Sequence, residues 1–363
     1  MIRSATAPRE APPLDDLIDG VMADASRLTQ ELWDAVARRA PQAAAVAELL
    51  AACRAADGGK YLRPRLVAAS YFAFGGTDLE LVRRVAAAQQ LLHVGLCIHD
   101  DVIDDDAVRH GSPTVRARVE GDARAAGLDA TAARRRAEAS AILAGDLAIN
   151  TAIAALVTAP CAPATRARLA EAALGAVELA IAGEALDLWS ETAPPAETDP
   201  LRVAALKTSS YSVVLPLVLG ALAAGVADAA VVRSLDDFGS PLGIAYQLHD
   251  DDLGLYGTAV STGKSTLSDL RDGKRTQHIK IAASRATPRQ RGVLEAHLGD
   301  PELDEAGASL VREIVTATGA RAAVLALIDG LLARSRRVAD AEMPVELAGY
   351  LTTLIDTLRD RDR

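Results

Sequence analysis

The sequence predicts an all-α fold, and three observations carry that prediction. Apolar residues recur at three- and four-residue intervals along nearly the whole chain, which is the spacing of one helix face and not the alternation of a strand. Ala, Leu, Arg and Glu fill long stretches, while aromatic residues make up only 3% of a chain that is 50% apolar, a bias toward helix formers. Gly, Pro and Asp gather in short clusters between those stretches, such as ADGGKYLRP (56–64), FGGTD (74–78), TAPPAETDP (192–200) and YGTAVSTGKS (256–265), where one helix must end before the next begins.

Taken in order, the opening MIRSATAPREAPPLDD lacks the apolar core of a signal peptide, so residues 1–13 are expected as a disordered lead-in. Helical periodicity then covers 14–38, 43–56, 62–73 and 79–106, the last running into a dense set of aspartates. The stretch 121–139 is charged and Gly-interrupted, and reads either as a surface loop or as the exposed beginning of a helix over 137–157. Further segments follow at 164–188, 203–225, 229–255, 277–284, 288–298, 306–339 and 345–359. No composition break marks a linker, so 14–363 is expected as a single domain.

Composition also excludes function classes. A net charge of −10 offers no basic face for a nucleic-acid backbone. Cys53, Cys97 and Cys161 are odd in number and far apart, which suggests neither a disulfide framework nor a zinc cluster and fits a reducing cytoplasm. The most apolar run, 213–226, holds about 14 residues with Pro216 inside it. That is short of the ~20 that span a bilayer, so no transmembrane segment is expected.

The chemistry is concentrated in two acidic runs. HVGLCIHDDVIDDDAVRHG (93–111) packs five aspartates into seven positions, and YQLHDDDLGLYG (246–257) repeats the arrangement. On a helix, residues four apart share a face, so Asp100 and Asp104 form one stripe above Leu96 and His93, with Asp101 and Asp105 beside it. Asp250 lies likewise above Tyr246 and Gly243, with Asp251 and Asp252 alongside. Acidic helix ends are often merely solvated. Two of them, each following an apolar stem and each preceded by His, instead suggest a pair of carboxylate rims. Mg²⁺ suits such rims, since it binds a few carboxylates and completes its shell with water and substrate phosphate.

Phosphate ligands are present near Gly-rich turns. Lys60 and Arg63 follow Gly58 and Gly59, Arg109 follows the first acidic run, Lys207 precedes TSSYS, and STGKS and DLRDGKRT supply Lys264 and Lys274. STGKS is no P-loop, because that spacing requires Gly where Thr258 stands and no strand precedes it.

With these pieces in place, the chain resembles the all-trans polyprenyl diphosphate synthases, from about Gly58 to Lys274. The motifs GGKYLRP, HDDVIDDDAVRHGSPT, AILAGD, KTSSYS, YQLHDDDLG and TGKSTLSDLRDGKRT fall in the family's order. The resemblance implies an isoprenoid synthase type I helical bundle around a central cavity, a homodimer, and a Mg²⁺-dependent condensation of isopentenyl diphosphate with an allylic prenyl diphosphate. It further implies that Asp100, Asp104 and Asp250 ligate three Mg²⁺ ions, with Asp101 and Asp251 in support and Asp105 and Asp106 left as solvated extras. Arg109, Lys207 and Lys264 would hold the allylic diphosphate, with Thr208, Gln247 and Lys274 nearby. Lys60, Arg63 and His93 would hold isopentenyl diphosphate.

Three departures qualify the match. His110 stands where the family has a second arginine toward isopentenyl diphosphate, which predicts weaker or pH-sensitive use of that substrate. Gly254 replaces the third aspartate of the second motif, as in many elongating members, and Tyr61 stands where Arg is common. Product length in the family follows the side chains four and five positions before the first aspartates, here Leu96 and Gly95. With no aromatic ring at either, C20 is the expected product, with C15 or longer chains behind it. A class I terpene cyclase of the same fold would carry a different second metal motif. A non-catalytic subunit of a heteromeric synthase would commonly lose an aspartate pair, and both pairs persist.

Overall fold

The computed structural model describes residues 12–109, 111–257 and 267–359, and the all-α expectation holds. Four helices open the chain, α1 (Leu14–Arg39), α2 (Ala44–Ala55), α3 (Leu62–Ala73) and α4 (Leu79–Ile103). A two-residue ribbon, β1 (Val108–Arg109) against β2 (Ser112–Pro113), leads into α5 (Val115–Ala125), α6 (Ala130–Val157) and α7 (Pro163–Thr192). A continuous helical rod follows, α8 (Pro200–Val203), a π-helical stretch over Ala204–Val214 and α9 (Leu215–Ala223), and then α10 (Ala229–Tyr256). Shorter helices at Ser268–Arg271, Gln277–Arg285, Pro288–His297 and Glu305–Ala317 precede a long pair, Ala320–Glu342 and Val345–Arg359.

Helix α4 begins where Asp78 accepts hydrogen bonds from the backbone of Glu80 and Leu81, and it runs through the middle of the bundle. Its partner α6 buries a seam of alanines, Ala133, Ala137, Ala141, Ala144, Ala148, Ala152 and Ala155, at helical spacing. Small side chains on that seam let two helices approach closely, which is why so alanine-rich and aromatic-poor a chain still builds a dense core. Larger groups fill the remaining gaps, with Trp33, Tyr71 and Phe238 fully buried. A second, smaller apolar cluster around Leu255, Leu270, Ile279, Leu294 and Val311 meets the main one at Ile281.

Several local expectations are corrected. The stretch 121–139 divides between α5 and the beginning of α6, whose Asp129 cap places the first turn at Ala130. The segment 306–339 is two helices bent by 65°, because Gly319 takes φ +70 and ends the run. By length and composition, Ala130–Val157 and Pro200–Ala223 could each cross a membrane, contrary to the sequence reading. That reading counted unbroken apolar runs, whereas alanine raises the mean hydropathy of a whole helix. In the bundle, α6 lies along α4 and α5, and the rod lies along α3, α7 and α10.

Candidate functional site

The last turns of α4 and α10 bring their carboxylates to the same end of the bundle, and basic side chains from three other segments converge on those of α4. Arg109 on β1 donates from Nε to Asp101 Oδ1 at 2.6 Å and from Nη2 to Asp100 Oδ2 at 2.7 Å. Lys207 Nζ lies 3.3 Å from Asp100 Oδ1, 2.7 Å from Glu184 and 2.9 Å from Asp187. Lys274 Nζ donates to Asp104 Oδ2 at 2.9 Å. Burial works against the charge on both lysines, but the surrounding carboxylates outweigh it and hold the ammonium groups above their ordinary range.

Lys207 reaches this position because the rod is π-helical there, and such wide turns often occur at functional sites. Glycine makes the wide turn fit its neighbours. A Cβ on Gly183 would fall 2.3 Å from the Lys207 backbone nitrogen, and one on Gly243 would fall 2.4 Å from Ser209 Oγ. Gln89 of α4 donates to the Tyr211 carbonyl at 2.9 Å, bracing the same stretch from the other side.

On α10, Thr208 Oγ1 donates to Gln247 Oε1 at 2.7 Å, and Gln247 Nε2 donates to Asp251 Oδ1 at 2.9 Å. Burial, then the charges of Asp269, Asp187 and Asp250, push the Asp251 carboxyl up to about 7. Burial also lifts Asp101, up to about 6, although Arg109 pulls the other way. Half-buried Asp250 stands within the electrostatic reach of Asp251. Two turns below the first rim, Arg63 contacts His93 Nε2 at 3.1 Å and donates to Ser212 Oγ at 2.8 Å, with its guanidinium over the Tyr211 ring. Lys60 is exposed on the turn before α3, whose Tyr61 takes a left-handed φ of 52°. Lys264 and His110 lie outside the described residues.

A cavity of about 200 Å³ opens beside the first rim, between the Gly58–Gly59 turn, Cys97, Arg109 and the beginning of α5, where Thr114 and Arg118 line it.

The structure alters several of the sequence readings. Asp105 is exposed as expected, though it also pairs with Arg116 at 2.8 Å, whereas Asp106 is no solvated extra and lies mostly buried 3.9 Å from Arg109. Asp252 is turned away from the rims. Leu96 shares the face of Asp100, but Gly95 is turned by a further ~100° and faces α6. A Cβ there would meet Ile149 at 2.7 Å and the Gly145 carbonyl at 2.9 Å, so a ring at 95 would push α4 and α6 away from each other instead of entering the space below the rim. Glu184 and Asp187 went unnoticed in the sequence. Their signal was GEALDL (183–188), a pair of acids three apart that share one face of an Ala- and Leu-rich helix.

Hard carboxylate oxygens, gathered closely enough to draw in two lysines and an arginine, fit a site for a divalent cation. Among the described residues no ready-made cage of three or more ligands exists. Mg²⁺ does not require one when a phosphate substrate supplies further oxygens.

Comparisons with known proteins point the same way. The family model described as polyprenyl synthetase matches residues 46–315. A short chain isoprenyl diphosphate synthase of Methanothermobacter thermautotrophicus is 31% identical over 243 residues, 67% of this chain and 68% of that protein. Heptaprenyl diphosphate synthase component 2 of Geobacillus stearothermophilus is 30% identical over 312 residues, 84% of this chain and 87% of that one. Among solved structures, the geranylgeranyl pyrophosphate synthase of Corynebacterium glutamicum, complexed with isoprenyl diphosphate and magnesium, superposes with a TM-score of 0.85 at 30% identity, covering 96% of this chain and all of that one.

Proposed function

The chain belongs to the polyprenyl synthetase family and is a trans-prenyl diphosphate synthase, and from that premise we propose that it condenses isopentenyl diphosphate with an allylic diphosphate to make an all-trans C20 product. The observation that carries this reading is the convergence of Arg109, Lys207 and Lys274 on the first carboxylate rim.

In this reading Asp100, Asp104 and Asp250 hold Mg²⁺, with Asp101 and Asp251 in support, and Glu184 and Asp187 keep Lys207 aimed. Bound Mg²⁺ would supply positive charge to a departing diphosphate. The chain's own cations do the rest of the binding. Arg109, Lys207 and Lys274 exchange carboxylate partners for phosphate oxygens, Thr208 and Gln247 flank them, and Lys264 adds a further cation from its sequence position. Leu96 and the buried stem of α4 keep water from the carbon that loses its leaving group.

Isopentenyl diphosphate, the shorter substrate, takes the cavity beside the first rim, with Lys60, Arg63 and His93 toward its diphosphate. Apolar Val94, Ile98 and Val115 suit five carbons, and Arg118 at the cavity wall adds a cation to a chain whose sequence has His110 in place of a second arginine. Exposed Ile142 and Leu143 on α6 and Leu174, Leu179, Ile181 and Trp189 on α7 form an apolar face that supports a homodimer. Three free cysteines accord with a cytoplasmic setting.

Incubating the purified chain with isopentenyl diphosphate and each allylic diphosphate, with and without Mg²⁺, tests the proposal. A C20 product that requires Mg²⁺ is expected, and only C10 would overturn the length. Leu96→Phe places a ring one turn below Asp100, about the length of one isoprene unit, and should shorten the product to C15.

A further inference from the structure

Three consecutive aspartates on a helix fan over ~200°, so they cannot all face one site. Asp252 takes the far side. Its carboxylate is 2% exposed and accepts two parallel hydrogen bonds from Arg321, Nε to Oδ1 at 3.0 Å and Nη2 to Oδ2 at 2.9 Å. Fully buried His278 donates from Nε2 to the same Oδ1 at 3.1 Å. We propose that Asp252 is a positioning residue: clamped by Arg321 and His278, it sets the rotation of the last turns of α10 and thereby aims Asp250 and Asp251. The inference rests on the reading of those two as members of the metal-binding rim.

The clamp acts where a helix is otherwise free to fray, since its last carbonyls lack partners in the helix. Arg312 Nε donates to the Leu255 carbonyl at 2.6 Å. The Arg321 guanidinium lies 3.8 Å above the Tyr256 ring, whose hydroxyl donates to the Arg312 carbonyl at 3.2 Å. Side chains from Gln277–Arg285, Glu305–Ala317 and Ala320–Glu342 thus grip the end of α10 that follows the rim. At a side-chain radius of roughly 5–6 Å, a ~20° rotation of that turn would move a carboxylate by roughly 2 Å, enough to decide whether it can ligate.

The clamp also links the two rims. His278 stands four residues after Lys274, at the beginning of the helix Gln277–Arg285, and the Lys274 ammonium reaches Asp104 of the first rim. Asp252 therefore fixes α10 to the segment that carries a diphosphate-binding lysine. A bidentate Arg–carboxylate bond is directional, which apolar packing is not. A buried ionic group can often be replaced by packed apolar residues without loss of stability, and this separates positioning from simple support.

The test is the triple variant Asp252→Leu, His278→Leu, Arg321→Met, compared with wild type and with Arg321→Lys, which keeps the charge but loses the fork. Tm is measured against Mg²⁺ at fixed inorganic pyrophosphate, and amide hydrogen exchange is followed over residues 250–257. The triple variant is expected to keep a Tm near wild type, to need about tenfold more Mg²⁺ for half of the pyrophosphate-dependent rise, and to exchange faster in that turn. Arg321→Lys should fall between, and it decides the matter alone if the triple variant does not fold. Wild-type Mg²⁺ dependence and exchange in these variants would overturn the proposal. A wild type that shows no Mg²⁺ and pyrophosphate response would instead overturn the metal reading, while the exchange data would still decide whether the clamp orders the turn.

Discussion

On α4, Asp100 meets Arg109 and Lys207, Asp101 meets Arg109, and Asp104 meets Lys274. On α10, Asp251 receives an amide hydrogen from Gln247 among other carboxylates, and Asp252 is engaged by Arg321 and His278. Two runs of aspartate that look alike in the sequence therefore occupy different electrostatic states. The first rim is neutralised by cations that a diphosphate can take over. At the second, buried Asp251 is held by a neutral amide with Asp269, Asp187 and Asp250 near it, and its carboxyl is pushed up to about 7. The difference teaches that equal runs of aspartate need not do equal work: Asp100 and Asp104 are held by cations, whereas Asp251 is held by an amide.

The largest expected effect breaks that contrast at its strongest point. Asp100→Asn removes a carboxylate shared by two basic side chains, and turnover should fall on the order of 10³-fold. Asp251→Asn removes a carboxylate bonded to a neutral amide, and should cost about tenfold. Steady-state kinetics at saturating Mg²⁺ measures both, and equal losses would mean that the rims do not differ in role.

Glycines beside each rim sharpen the comparison. A Cβ at Gly183 meets backbone of the π-helical stretch at 2.3 Å, so α7 and the Lys207 segment must move away from each other. Gly183→Ala should cost about 1–3 kcal/mol in stability and raise KM for the allylic diphosphate. A Cβ at Gly254 meets the carboxylate end of Asp269 at 2.5 Å, a flexible tip that can swing away. Gly254→Ala should therefore lower Tm by less and leave that KM nearly unchanged. Thermal denaturation and kinetics of the pair check the ordering.

How much of this the sequence made legible depended on the kind of feature. Long helices such as α1, α7 and α10 were readable because one face of each repeats at helical spacing over many turns. Helix α5 was not, because it is short and charged, with only Val115, Arg116 and Ala123 buried. The π-helical stretch was hidden because KTSSYS keeps an apolar stripe on either side, and the widening comes from packing against Gly183 and Gly243. The acidic rims were legible as stripes. Their partners were not, since the pairing of Lys274 with Asp104 joins residues far apart in the chain. Glu184 and Asp187 were legible in principle, as a pair of acids at helical spacing. The fate of Asp252 followed from geometry alone, because a third consecutive residue cannot share the face of the first.

The smallest expected effect separates the rims by degree and not by sign. Asp251, pushed up to about 7, keeps a proton in the folded chain that the unfolded chain releases above its ordinary range near ~4. Its contribution to stability is therefore full below that range and is lost as pH rises through about 7. Asp101 and Asp272, each pushed up to about 6, act in the same direction at lower pH. Without metal, Tm should decline by a few degrees (~2–5 °C) from about pH 5 to 8, and Asp251→Asn should remove the upper end of that decline. Mg²⁺ must displace the same proton, so the half-saturating Mg²⁺ concentration should fall as pH rises from about 5.5 to 7.5 and then level, with the slope flattened in Asp251→Asn. A metal-free Tm that climbs across this window would mean that burial does not hold the proton on Asp251, and the contrast with the first rim would be lost.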